Sequence, residues 1–228
     1  MSRLFDSVLE ELREDLYRMG SRAEAILDKA MRSFWDRDVD LAQQVADDDI
    51  EIDRLEVAID ERVLKALALQ APVAEDLREV MAAKMIATDL ERVGDLARNI
   101  AKSARRISSH PSMPYPAALT TLARAAQRVL RSSLDAFSRT DADLARAVMA
   151  EDDTIDGIQD EVVQSMLREI QLHPEKASQE VDVIMVAKHL ERVGDHATNI
   201  AEDVILVAEA RNVKHAAKLE RADANARR

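Results

Sequence analysis

The feature that most constrains the fold of this 228-residue chain is a twelve-residue segment that occurs twice, 100 residues apart. Residues 90–101 read LERVGDLARNIA and residues 190–201 read LERVGDHATNIA, so ten of the twelve positions are identical. A segment of this length, repeated at this interval, indicates a chain built from two similar halves. We therefore expect both halves to have the same helix order and to place equivalent residues at equivalent positions.

Apolar residues recur at spacings of three and four along most of the chain, which is the pattern of packed helices. The 47% hydrophobic share, with only four glycines and five prolines, leaves few helix breakers and enough apolar side chains for a core. The sequence predicts an all-α fold of two tandem, pseudo-symmetric three-helix bundles. The predicted helices cover residues 3–35, 39–69 and about 72–109, then 117–140, 141–172 and 177–212.

The boundary between the halves is predicted at residues 110–116, HPSMPYP, because three prolines in seven residues cannot continue a helix. This assigns residues 1–110 to the first bundle, 111–116 to a linker and 117–212 to the second bundle. Residues 213–228 are rich in Ala, Lys and Arg and are predicted to be a frayed or disordered tail.

The formal net charge of −12 and the pI near 4.9 argue against nucleic-acid binding through a broad basic surface. Cation binding and a basic protein partner both remain open. The chain has no cysteine, which excludes disulfides and thiolate metal sites. No secretory signal and no apolar run near the ~20 residues of a membrane span is found, so we expect a soluble protein without membrane insertion.

Both copies of the repeated segment contain Glu-x-x-x-Asp, which places two carboxylates on one face of a helix. Like charges at this spacing are unfavourable by roughly 0.2–0.5 kcal/mol. The glycine before each Asp costs the helix about 1 kcal/mol more than alanine would. Because the segment occurs twice despite these two destabilising features, we expect the carboxylates to have a function. We expect Gly94 and Gly194 to allow close packing of one helix on another.

The second helix of each half contains the same spacing, as Asp-x-x-x-Asp. Asp53 precedes Pro72 by 19 residues and Glu91 follows it by 19, so a helical hairpin sets the two pairs side by side; the second half matches to within one residue. Converging carboxylates repel one another, and a bound hard cation is the simple remedy. Magnesium, manganese and iron suit oxygen ligands, and zinc is a further candidate. The predicted metal ligands are Asp49, Asp53, Glu91, Asp95, Asp152, Asp156, Glu191 and Asp195, with Asn99, Asn199 and His196 as auxiliary candidates.

The alternative is that these acidic residues form solvated helix faces, with Arg92 or Arg98 in surface salt bridges. An enzyme is not expected. Di-iron bundles use Glu-x-x-His on two helices, and none of the five histidines has Glu three residues before it. The chain also lacks a glycine-rich phosphate loop and any arrangement of a nucleophile with a base that we would propose as catalytic.

The doubled segment resembles the signature of the PhoU family of bacterial phosphate-transport regulators. Residues 58–95, AIDERVLKALALQAPVAEDLREVMAAKMIATDLERVGD, and residues 151–163, EDDTIDGIQDEVV, are also similar to that family. The resemblance implies two three-helix bundles and, in some members, multinuclear metal clusters held by the paired acidic motifs at the eight positions given above. Leu96 stands where many members have His, which affects only an auxiliary ligand.

The resemblance also implies a function. Members restrain phosphate uptake and silence the phosphate-starvation response, as links between the ATPase subunit of the phosphate ABC transporter (PstB-type) and the PhoR sensor kinase. They are cytoplasmic, commonly homodimeric, and peripheral to the inner membrane through these partners. Two alternatives remain, an accessory subunit of a phosphate symporter and a metal-free helical scaffold.

Overall fold

A computed structural model describes residues 3–214, and this part of the chain is helical without β-strands. The all-α prediction and the arrangement as two three-helix bundles are confirmed, with one helix of the second bundle broken in two. The first half consists of α1 (Arg3–Asp36), α2 (Val39–Gln70) and α3 (Glu75–Ser108). The second half consists of α4 (Ala117–Arg139), α5 (Ala142–Met149), α6 (Asp152–Leu172), a 3-10 turn (Pro174–Lys176) and α7 (Ala177–Glu209).

The start of α3 differs from the prediction. Pro72 was expected near the first turn, but the helix begins at Glu75, and Pro72 lies in the irregular turn before it. Ala71 and Ala74 on either side of this turn have φ angles of 45° and 52°. These two residues with positive φ reverse the chain between α2 and α3. The acidic pair Glu75 and Asp76 then starts α3, where the helix dipole favours negative charge.

The prediction of one helix over residues 141–172 is wrong, because the chain turns at residues 150–151 between α5 and α6. Asp141 caps α5 by accepting hydrogen bonds from the backbone N–H groups of Asp143 and Leu144, each 3.0 Å long. A new helix N-terminus at Asp152 is favourable for the acidic residues there, since the positive end of the helix dipole lies beside Asp152 and Asp153.

The third helices of the two halves, α3 and α7, pack against each other in the middle of the molecule and run antiparallel. Asp89 near the middle of α3 contacts His196 of α7, and Arg106 near the end of α3 contacts Asp182 near the start of α7. One apolar cluster continues through both halves. The helices α1 and α4 cross at Gly20, where an added Cβ would lie 2.8 Å from Leu134 Cδ2.

The proline-rich segment between the halves is packed onto the first bundle through Tyr115. Its ring centroid lies 4.8 Å from that of Phe34 and 5.5 Å from that of Trp35. Of the predicted tail, Val213 packs against the core and Lys214 contacts Asp203, while residues 215–228 lie outside the described residues. Within the described part, no helix has the length and apolar character to cross a bilayer.

Candidate metal centre

Glycines at the helix crossings bring the predicted carboxylates together in each half. A Cβ on Gly94 would lie 3.1 Å from Ile52 Cδ1 of α2, and a Cβ on Gly194 would lie 3.1 Å from Ile155 Cδ1 of α6. These separations are shorter than ordinary van der Waals contact, so a larger residue would push the helices of each hairpin apart. The glycines therefore set the third helix close to the second at the level of the acidic pairs.

In the second half, Asp156 of α6 converges with Glu191 and Asp195 of α7. One carboxylate oxygen from each residue lies within 4.8 Å of the other two. Along residues 3–214, no lysine or arginine forms a salt bridge with any of the three. The fourth predicted ligand, Asp152, lies beside them and accepts a hydrogen bond of 3.2 Å from Thr198 Oγ1. We call these four acidic residues the second cluster.

The electrostatics of the second cluster favour an added positive charge. Burial raises the pKa of Glu191, and the nearby carboxylates of Asp195 and Asp156 raise it further. Burial likewise raises the pKa of Asp195, with Asp152 and Asp156 adding to the effect. The pKa of Asp156 is raised by burial and then by Asp152. Carboxylates that destabilise each other's charged form are a fitting oxygen donor set for a hard cation.

In the first half, Arg98 lies among the equivalent carboxylates, Asp49, Asp53, Glu91 and Asp95, which we call the first cluster. Its Nη1 atom is 2.8 Å from Asp49 Oδ2, and its Nη2 atom donates to Asp95 Oδ1. Arg98 thus bridges α2 and α3. Asp49 is only 1% exposed; burial raises its pKa, and the Arg98 guanidinium opposes that rise.

Arg92 adds a second, more exposed cation to the first cluster, 3.4 Å from both Glu91 and Asp95. Burial raises the pKa of Glu91, followed by the charge of Asp95. Within the described residues, the compact triad of oxygens found in the second cluster has no counterpart in the first. As arranged here, the first cluster is an ion-pair network and does not fit a metal ion as well as the second.

Sequence reasoning treated Arg98 only as a candidate for surface salt bridges and missed its reach to buried Asp49. The signal was available, because the two copies of the repeated segment differ at only two positions. One difference is Arg98 against Thr198, and the other is Leu96 against His196. Both of these positions lie within three residues of the aspartate of the acidic motif, Asp95 or Asp195.

The three auxiliary candidates make other contacts. His196 Nδ1 lies 2.7 Å from Asp89 Oδ1 across the α3–α7 contact, and Asn199 Nδ2 donates to the same oxygen at 3.1 Å. Asn99 Oδ1 accepts from Lys102 Nζ at 3.1 Å. The contacts of His196 and Asn199 join α7 to α3, whereas that of Asn99 lies within α3. A ligand role would require the other side-chain atoms of His196 and Asn199.

A second buried carboxylate stands apart from both clusters. Asp203 of α7 is fully buried, and Lys214 Nζ is 2.9 Å from its Oδ1 atom. Burial raises the pKa of Asp203 to about 6, although Lys214 lowers it. Sequence reasoning did not identify this residue, because the equivalent position in the first half is Ser103.

Two tandem helical bundles, each with paired carboxylates at a glycine-mediated crossing, define a class of helical proteins with duplicated acidic sites. The family described as "PhoU domain" matches this chain twice, over residues 16–104 and 119–204. The chain therefore belongs to the PhoU family. Neither that description nor the relatives' names states an enzymatic activity, and the expectation of a non-enzyme stays a prediction.

Relatives and solved structures agree with this assignment. A Pseudomonas aeruginosa protein named phosphate-specific transport system accessory protein PhoU homolog is 34% identical, covering 94% of this chain and 89% of its own length. The corresponding protein of Clostridium acetobutylicum is 32% identical, covering 92% and 97%. The crystal structure of PhoU from Pseudomonas aeruginosa superposes with a TM-score of 0.88 at 34% identity, covering 91% of this chain and all of that one. A Streptococcus pneumoniae PhoU structure, 24% identical with a TM-score of 0.85, supports the fold alone.

Proposed function

We propose that this chain is a metal-binding adaptor that restrains phosphate uptake and the phosphate-starvation response. The observation that carries the proposal is the doubled PhoU domain, with its acidic motif at the same crossing in each repeat. The relatives at 34% and 32% identity are named accessory proteins of phosphate-specific transport, which supports action on the phosphate transporter. The arrangement of side chains supports binding and does not require catalysis.

The partners we propose are a PhoR-type sensor kinase and the PstB-type ATPase subunit of the phosphate transporter. The chain would act as a homodimer in the cytoplasm, reaching the inner membrane through these partners. The strongly acidic composition supports binding to basic protein surfaces, since complementary charge steers association. Membership of the PhoU family supports these proposed assignments.

Metal binding by the second cluster is supported by the convergence of Asp156, Glu191 and Asp195 without a salt-bridge partner in the described part of the chain. The eight-residue ligand set predicted from the sequence includes the first cluster as well. A bound cation would compensate the mutual repulsion of the carboxylates and hold α6 against α7. Loss of the cation would leave like charges uncompensated, so metal loading would bias the surface that partners recognise.

The first experiment tests regulation. Deleting the gene and assaying alkaline phosphatase in phosphate-rich medium distinguishes a regulator from the alternatives. Constitutive phosphatase expression supports the proposal. Repressed expression contradicts it and favours a symporter accessory subunit or a scaffold with a different partner.

The second experiment tests the metal. Glu91, Asp95, Glu191 and Asp195 are replaced with Ala, and metal content is measured beside binding to the kinase and the transporter ATPase. A matched control replaces four exposed acidic residues outside the clusters, Glu14, Asp47, Glu61 and Glu161. Unchanged metal content in the first variant contradicts the site, and lost metal with intact regulation contradicts the mechanism while leaving the site in place.

A further inference from the structure

We propose that Arg98 is the built-in cation of the first repeat, so that metal ions bind at the second cluster and not at the first. The inference rests on the proposed metal binding and concerns how the two repeats divide it. Its basis is the position of the repeated segment at which an arginine in α3, Arg98, is replaced by a threonine in α7, Thr198.

The guanidinium of Arg98 bridges two helices of the first repeat. Arg98 Nη1 reaches Asp49 on α2, 2.8 Å away, while Nη2 donates to Asp95 on its own helix. A metal ion that joined α2 to α3 at this level would contact the same two carboxylates. The arginine therefore already makes the link between helices that the metal would make.

Removing Arg98 from Asp49 would be energetically costly. Asp49 is almost fully buried, and its Oδ1 atom also lies at the Gly94 crossing, where an added Cβ would be 2.9 Å away. A buried carboxylate without a partner is strongly unfavourable. A metal ion can enter only by displacing Arg98, and the displaced guanidinium would remain tethered one turn from the site as a competing positive charge.

The second cluster has threonine, Thr198, at the position equivalent to Arg98. The Thr198 hydroxyl donates one hydrogen bond of 3.2 Å to Asp152 and contributes no charge. His196, the nearest histidine on the helix, has its Nδ1 atom 2.7 Å from Asp89 of the other repeat. Arg192 acts on Glu191 and Asp195 through its charge but forms no salt bridge with them in the described part of the chain. The carboxylates of the second cluster therefore remain available to an ion from solution.

The next turn of the helices repeats the contrast. Lys102 follows Arg98 by one turn, and its positive charge acts on Asp49. The residue equivalent to Lys102 in α7 is Glu202, with the opposite charge. The residue one turn after the motif's Arg98 position is therefore basic in the first repeat, whereas its equivalent in the second repeat is acidic.

The experiment exchanges the two residues in the full chain and measures bound manganese after equilibration with Mn²⁺ and gel filtration. We expect the wild type to bind at the second cluster alone. Arg98→Thr is expected to double the metal-to-protein ratio, because it frees the first cluster. Thr198→Arg is expected to weaken Mn²⁺ binding at least about tenfold, because it adds a like charge beside the ion.

Two further variants locate the metal even if an exchanged arginine perturbs folding. Glu191→Ala with Asp195→Ala should abolish binding, and Glu91→Ala with Asp95→Ala should leave it unchanged. Loss of metal from the Glu91 and Asp95 variant would overturn the inference, and so would an unchanged metal-to-protein ratio in a folded Arg98→Thr variant. Either result would leave the proposed metal binding in place. A wild type that binds no manganese overturns the proposed metal binding instead. Far-ultraviolet circular dichroism checks that each variant is folded.

Discussion

The two acidic clusters have the same helix scaffold and different charges. Gly94 and Gly194 each admit an isoleucine of the neighbouring helix to the same distance, and each crossing brings two acidic pairs to one level. In the first cluster Arg98 compensates the carboxylates, whereas in the second Asp156, Glu191 and Asp195 face one another. The comparison shows that the duplicated helices can keep one packing geometry while one residue changes what the site can bind.

A second divergence lies one turn further along the same helices. Ser103 and Asp203 occupy equivalent positions and are both fully buried. Ser103 Oγ accepts a hydrogen bond of 2.8 Å from Arg106, while Asp203 is paired with Lys214 beyond the end of α7. The repeats thus differ again in how much negative charge is buried, which makes the difference measurable as a pH dependence.

The largest expected effect is that of Asp203→Ser, which gives α7 the residue of α3. The pKa of Asp203 is raised to about 6 in the folded protein, so the folded state binds this proton more tightly than the unfolded chain does. Stability from this group is full below about pH 4 and is lost as the pH rises through about 6. The variant should therefore gain about 3 kcal/mol over the wild type between pH 4 and pH 7.5, as measured by urea unfolding.

Ser103→Ala is the control for this experiment, and its effect should not vary between the two pH values. Equal shifts of the Asp203→Ser variant at pH 4 and pH 7.5 would show that the buried carboxylate is not titrating as described. The two repeats would then not differ in buried charge at this level.

The next effect separates the clusters themselves. Arg98→Met should lower the free energy of unfolding by about 2 kcal/mol at pH 7.5 without metal, because it leaves buried Asp49 unpaired. The Arg98 side chain is 37% exposed, so solvent screening keeps this cost below that of breaking a fully buried ion pair. Thr198→Met removes one hydrogen bond of 3.2 Å from a neutral hydroxyl to the half-buried Asp152 carboxylate and should cost about 1 kcal/mol or less.

The destabilisation caused by Arg98→Met should depend on pH. Without Arg98, the pKa of Asp49 rises further, so the cost of Arg98→Met should shrink as the pH falls and Asp49 becomes protonated. Urea unfolding at pH 4.5 and 7.5 measures the difference. Equal costs of the Arg98 and Thr198 variants would contradict the contrast between the clusters.

The smallest expected effect tests the shared scaffold. A Cβ at Gly94 would meet Asp49 Oδ1 at 2.9 Å, whereas a Cβ at Gly194 meets only the side chain of Ile155, at 3.1 Å and beyond. Alanine gains about 1 kcal/mol of helix propensity at both sites. Gly94→Ala should therefore be less stable than Gly194→Ala by about 1 kcal/mol, because Asp49 is held by Arg98 and cannot move freely. Thermal unfolding of the two variants compares them directly.

Much of the fold could be predicted from the sequence because it depends on local patterns. Apolar spacing defined the long helices, and prolines in residues 110–116 ended α3 and separated the repeats. The break at residues 150–151 was missed because neither glycine nor proline marks it. Pro72 was misplaced because the turn depends on positive φ angles at Ala71 and Ala74, which alanine rarely adopts.

The candidate site was predictable in its acidic residues and less so in its charge balance. Counting residues from the hairpin turns placed Asp156 near Glu191 and Asp195, since helices have a constant rise. The contact between Arg98 and Asp49 depends on how deeply Asp49 is buried between α2 and α3. Sequence spacing does not give that depth. The contact of His196 with Asp89 depends on how the two repeats pack, which no spacing within one repeat reveals.

The most direct test of the account is a crystal structure of the wild-type protein grown with Mn²⁺, with anomalous diffraction to locate the metal. We expect anomalous density between Asp156, Glu191 and Asp195, with Arg98 still bridging Asp49 and Asp95 in the first repeat. Anomalous density at Asp49 and Asp95, with Arg98 turned away, would contradict it, as would a second cluster without metal.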